Sequence, residues 1–227
     1  MMAGCLPGLA AAGTFQVNPV VLEITPGRRT ATISVTNRGS DGVPVRVTIY
    51  RWTQQDGEDV YTPASELIAS PPMFTIPANG VQHVRVGPRG QAAPGAYRVM
   101  IEEIPGSVAG HNGVNIALRL NLPLYIYTER GGEPQLRWSA SRSGSGEVVV
   151  EARNSGTRHS QIVGIDVVDA AGRVTPLATQ MGVVLPGGTK RWNVGSRAEL
   201  APGSNLQLRI RSAAGETRHN VALLEAR

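Results

Sequence analysis

The segment Gly113–Tyr127, GVNIALRLNLPLYIY, carries an apolar side chain at every second position: Val114, Ile116, Leu118, Leu120, Leu122, Leu124 and Ile126. Successive side chains of an extended chain point to opposite faces, so all seven share one face. The ordinary reading of such a row is a core strand. Its other face holds Asn115, Arg119, Asn121 and Pro123, and a proline, with no N–H to donate, belongs at a sheet edge rather than inside a ladder. A long apolar row at an edge is a liability unless something covers it.

The rest of the chain limits what can surround this strand. With 227 residues and 41% apolar content there is material for one large domain or two of about 100 residues each. The 27 glycines and 16 prolines, with aromatics at only 4%, favour a β-rich chain. No apolar run approaches the ~20 residues of a membrane-spanning helix, so no membrane insertion is expected. The net charge of +5 comes from dispersed arginines and a single lysine, Lys190. Without a basic run or an aromatic platform, nucleic acid is not the expected partner. Residues 1–12, MMAGCLPGLAAA, read as the tail of an export signal, with Ala10-x-Ala12 in the form of a cleavage site. Cys5, the only cysteine, leaves with it. A mature chain without cysteine has no disulfide framework, no thiol catalysis and no cysteine metal site.

Strand-like segments recur every 8–12 residues or so between turn residues, as in a sandwich or barrel. In the first half the clearest are TATISVTN, VPVRVTIYRW, VQHVRVG and AYRVMIEEIP; in the second, EVVVEARN, QIVGIDVV, KRWNVG, NLQLRI and NVALLEA. The halves echo each other. ISVTNRG followed by VPVRVTIY is matched by VVVEARNSG followed by QIVGIDVV, which aligns Asn37 and Gly39 with Asn154 and Gly156. FTIPANGVQHVRVG is likewise matched by VVLPGGTKRWNVG. The expected fold is all-β, two tandem β-sandwich domains over 13–128 and 129–227, parted near TERGGEP.

No active site emerges. His83, His111, His159 and His219 are far apart, without metal-ligand spacing, and no nucleophile elbow, phosphate loop or dinucleotide fingerprint occurs. Glu102 and Glu103 are adjacent, and on a strand they point to opposite faces. The reading is a non-enzyme with no cofactor and no metal, working through its surface.

Domain 1 resembles the PapD-like periplasmic chaperones of the chaperone-usher pathway, which assemble pili and related fibres. The likeness runs from FQVNPVVLEITPGRRTATISVTN through YRWTQQDGED, ELIASPPMFTIPANGVQHVRVG and GAYRVMIEEIP to VNIALRLNLPLYIY, and is nearest the archaic branch, with its YRW and its proline in the last strand. The resemblance implies two immunoglobulin-like domains set as a boomerang, in the periplasm. The implied partners are pilus or fimbrial subunits and an outer-membrane usher, and the exposed edge also leaves self-association of the free form open. It implies that the last strand of domain 1 is donated to a subunit whose own sandwich lacks one, through Val114, Ile116, Leu118, Leu120 and Leu122. An arginine and a lysine that hold the subunit's terminal carboxylate in the conventional branch fall at or beside Val21 and on Pro123, so neither charge is present. Arg98 and Arg119 are the candidate replacements, since a guanidinium grips a carboxylate bidentately. Arg85 and Glu103 match two members of an interdomain salt bridge and are expected to be structural. The alternative reading is a structural or adhesive immunoglobulin-like module, which explains tandem sandwiches but not the apolar strand.

Overall fold

Eighteen strands and no helix form among the described residues of the computed structural model, which are 15–91, 93–105, 117–169, 171–197, 199–201 and 203–225. The chain divides into two compact units, Met1–Trp52 with Tyr61–Arg130, and Thr53–Val60 with Gly131–Arg227. No helix among the described residues is long and apolar enough to cross a membrane.

The first ten strands are β1 (Phe15–Asn18), β2 (Leu22–Ile24), β3 (Ala31–Asn37), β4 (Val43–Gln55), β5 (Glu58–Pro63), β6 (Leu67–Ser70), β7 (Met73–Ile76), β8 (Val81–Pro88), β9 (Gly95–Glu103) and β10 (Arg119–Ile126). They form one sheet in the order β1-β3-β8-β6 and another in the order β2-β10-β9-β4-β5, with β7 also on β4. Alternation decides which side chains meet between them. Ile33 and Val35 of β3 and Val84 and Val86 of β8 pack with Val45 of β4, Val99 and Ile101 of β9, and Leu122, Leu124 and Ile126 of β10. Burial of such side chains contributes roughly 1.5–3 kcal/mol each, before chain entropy is subtracted.

The first strand is split between the sheets. β1 pairs antiparallel with β3, whereas β2 pairs parallel with β10. The sequence carries this switch as a phase slip, since Phe15 and Val17 are odd-numbered and Leu22 and Ile24 even-numbered.

The second unit contains β11 (Leu136–Arg142), β12 (Glu147–Asn154), β13 (Ser160–Val168), β14 (Val174–Ala178), β15 (Gly182–Val184), β16 (Thr189–Ser196), β17 (Asn205–Ser212) and β18 (Gly215–Glu225). They run in the order β14-β13-β17-β18-β11-β12-β16, with β15 on β13. The last strand turns the corner of the sandwich: up to Ala222 it pairs with β17, and Leu223–Glu225 pair with β11. Trp138 and Trp192 stack in the core at 5.7 Å between ring centroids. Asp166, only 1% exposed, is gripped by Arg209 at 2.9 Å and Arg211 at 3.3 Å, which keeps its buried charge compensated.

The echo between the halves extends to the hydrogen bonds of the two buried asparagines. The Asn37 side chain accepts the Gly39 N–H at 2.8 Å and donates to the carbonyls of Asp41 at 2.7 Å and Ile76 at 3.3 Å. Asn154 accepts the Gly156 N–H at 2.9 Å and donates to the carbonyls of Arg158 at 2.7 Å and Val184 at 3.2 Å. Each asparagine's own N–H bonds a glycine carbonyl in the facing turn, Gly80 for Asn37 and Gly188 for Asn154. Both side chains are fully buried. At Gly156 any side chain would run into the Glu133 carbonyl, so this copy of the turn requires glycine.

His159, next to that turn, has its pKa pushed down to about 4 by burial and by the neighbouring Arg158 charge. A histidine whose folded pKa lies below its unfolded value of about 6.5 leaves stability unaffected above pH 6.5. Stability then falls as pH drops from 6.5 towards 4, by on the order of 3 kcal/mol at most. His159→Gln is expected to flatten this acid limb in pH-dependent urea unfolding; an unchanged limb assigns it to other groups.

Candidate functional site

The apolar row of the sequence ends as β10. Over its whole length, Arg119 to Ile126, β10 pairs with β9, from Arg119↔Glu102 to Ile126↔Gly95. On the other side β2 covers only Leu124–Ile126, in the register Leu124↔Leu22 to Ile126↔Ile24. Among the described residues no strand lies beside Arg119–Pro123 on that side. The Leu118 carbonyl accepts the Glu103 N–H at 2.9 Å, and the Tyr127 N–H reaches the Ile24 carbonyl at 2.9 Å. Even-numbered residues therefore turn their main chain to β9 and odd-numbered ones turn it away. The N–H and C=O groups of Arg119 and Asn121 form the open edge.

Val114 and Ile116 lie outside the described residues. Leu118 is half-buried, its N–H donated to the Glu103 carboxylate at 3.2 Å. Leu120 packs partly against the unit's own core, and Leu122, 6% exposed, lies within it. The exposure of the row thus falls from the edge inwards.

The two candidate arginines differ sharply. Register sets Arg46, Glu102 and Arg119 side by side across β4, β9 and β10. Glu102, nearly buried, pairs with both arginines: Arg46 stands at 3.4 Å, and Arg119 makes the shorter contact. Arg98, opposite Tyr50 and Pro123, reaches no carboxylate among the described residues. Its guanidinium lies over the Trp52 ring, 3.8 Å from the centroid, and its Nε is buried with no hydrogen-bond partner. Trp52 in turn neighbours Tyr61 at 6.3 Å and Tyr125 at 6.2 Å, and Tyr125 stacks with Tyr127. Cation–π contact holds the charge without neutralising it. This aromatic floor was not foreseen; its signals were the alternating Tyr125 and Tyr127 and the Trp of YRW.

Arg85 and Glu103 are not brought together. Arg85 is exposed on β8 in the first sheet, while Glu103 ends β9 in the second and is engaged with Leu118. Val21 is 43% exposed at the bend between β1 and β2. His83 bonds Ser34 and His219 bonds Thr217, each at 3.0 Å, and His111 lies outside the described residues. Among the described residues no group of three or more metal-ligating side chains converges.

Two immunoglobulin-like sandwiches, the first closed by a partly uncovered strand, place the chain in the PapD-like class of folds. Residues 14–128 match the family model of pili and flagellar-assembly chaperones, PapD N-terminal domain, and the chain belongs to that family, a family of chaperones rather than enzymes. No curated protein matches the sequence. Among solved structures, it is similar to a chain of the CsuC–CsuE chaperone–tip adhesion subunit pre-assembly complex from the archaic chaperone-usher Csu pili of Acinetobacter baumannii. That match has 19% identity and a TM-score of 0.71 over 94% of this chain and 100% of the other. A structure of the Salmonella enterica SafA pilin in complex with the SafB chaperone matches at 17% identity and TM-score 0.62, covering 95% and 98%. The Pseudomonas aeruginosa CupB2 chaperone matches at 16% and 0.58, covering 92% and 100%.

Proposed function

We propose that this pilus-assembly chaperone works in the periplasm, holds pilus or fimbrial subunits by donating its β10 segment, and passes them to an outer-membrane usher. The observation that supports this best is the uncovered edge at Arg119 and Asn121 on a strand whose apolar row grows more exposed outwards. An incoming strand would take the free N–H and C=O groups while alternate side chains fill the subunit's groove, which is β-augmentation. Val114, Ile116, Leu118 and Leu120 are the donated side chains, with Leu122 at the inner end of the row. Four or five such residues contribute roughly 6–15 kcal/mol gross. Ordering and association subtract several kcal/mol or more, leaving a complex that is stable yet exchangeable. Arg85 and Glu103 are read as structural residues.

For the subunit's terminal carboxylate we favour Arg98 over Arg119. Arg119 is already paired with Glu102, so capture there must break an existing ion pair, whereas Arg98 is held over Trp52 and pairs with no carboxylate among the described residues.

Periplasmic co-expression with a subunit encoded nearby tests the reading. A soluble one-to-one complex is expected, with Arg98→Ala weakening it about tenfold or more and Arg119→Ala having little effect, since a charge-assisted hydrogen bond is worth roughly 1.5–3 kcal/mol. Equal affinity in both variants would exclude Arg98 as the anchor. Failure of the wild-type chain to retain any subunit would sink the chaperone mechanism itself.

A further inference from the structure

The outer cover of β10 stops at Pro123. In a parallel ladder a residue donates its N–H to the carbonyl just before its opposite number, as the Tyr127 to Ile24 bond does. Carried outwards in the same register, the next rung would need a Pro123 N–H on the Val20 carbonyl, and proline has none. The rung beyond would join the Val20 N–H to the Asn121 carbonyl, one of the groups of the open edge. Instead the chain bends away to pair β1 with β3. Val20 and Val21 are left 61% and 43% exposed. Two β-branched residues with high strand propensity therefore sit in solvent beside an edge they are suited to cover.

We infer that Pro123 is a positioning residue that stops the chain's own first strand from zipping onto β10, and so keeps the Arg119–Asn121 edge open for an incoming extended strand. The ligand class is a β-strand recognised by its main chain, and the proline sets where that strand must end. The inference rests on β10 being the docking edge. Its first part, the ladder stop, concerns the unbound protein alone.

Pro123→Val restores the N–H on a residue suited to a strand. Hydrogen exchange of the unbound protein is expected to show the Val20 amide exchanging at least about tenfold more slowly in the variant than in the wild type, because it gains a partner in a ladder. Subunit binding should weaken by about tenfold, the competition of two backbone hydrogen bonds. Adding Val20→Pro, which removes the second rung, should restore it. A Val20 amide that exchanges equally fast in both proteins overturns the ladder stop; a protected amide with unchanged binding overturns the role in docking. If the wild type itself binds no subunit, the docking reading fails while the exchange comparison still decides the ladder stop. Should the valine variant not fold, Pro123→Thr supplies the same N–H with a smaller, polar side chain.

Discussion

Leu118→Asp is expected to abolish recovery of a subunit complex while leaving the chaperone folded. The residue sits just outside β10, half-buried and beyond the tightly packed part of the row, so an aspartate there can keep its hydration in the free protein. In the complex the same carboxylate would have to enter an apolar groove without a partner, which costs several kcal/mol. The affinity loss should be at least about a hundredfold, read as the disappearance of subunit from the soluble periplasmic fraction. Leu120→Asp would not be a clean test, because Leu120 also packs against the chaperone's own core and the variant would lose stability for that reason alone. An unchanged yield of complex with Leu118→Asp would rule out strand donation through this residue.

The second large effect concerns stability. Asn37→Ala removes the acceptor of the Gly39 N–H and the donor to three carbonyls, those of Asp41, Ile76 and Pro77. Asn154→Ala removes the acceptor of the Gly156 and Gln135 N–H groups and the donor to the Arg158 and Val184 carbonyls. Each hydrogen bond is worth about 1 kcal/mol net, and each buried group left without a partner costs about 1–3 kcal/mol more. A loss of roughly 3 kcal/mol or more per variant follows, against a whole-domain stability of about 5–15 kcal/mol. In calorimetry this should lower the melting temperature of one unit by about 12 °C or more. Asn37→Ala should move the transition of the first unit and Asn154→Ala that of the second. Variants that melt like the wild type would show that water replaces the asparagine amide at no cost, and that the shared turn is not a stability element.

Much of this was legible from the chain. The strands with strict alternation, β3 and β12, were readable because one face of each is core and a period of two follows directly from the pleat. The duplicated asparagine turns were readable because a buried side chain that must serve four fixed backbone groups tolerates little else. Short strands such as β14 and β15, with three to five residues each, and the polar start of β18 are too short or too polar to show a period of two, and their ladder partners define them.

At the β10 edge the division is sharper. The chain's local chemistry determined that Gly113–Tyr127 alternates, that Pro123 can donate no rung, and that Val21 and Pro123 carry no charge. Only tertiary structure decided which of the two arginines, Arg98 or Arg119, is without a carboxylate partner among the described residues. That depends on lateral register across three strands: Glu102 falls between Arg46 and Arg119, while Arg98 falls between Tyr50 and Pro123, over Trp52. A sequence specifies the order of residues along each strand, but an ion pair requires charged groups within about 4 Å of each other, and which residues come that close is decided by the packing of strands distant in sequence.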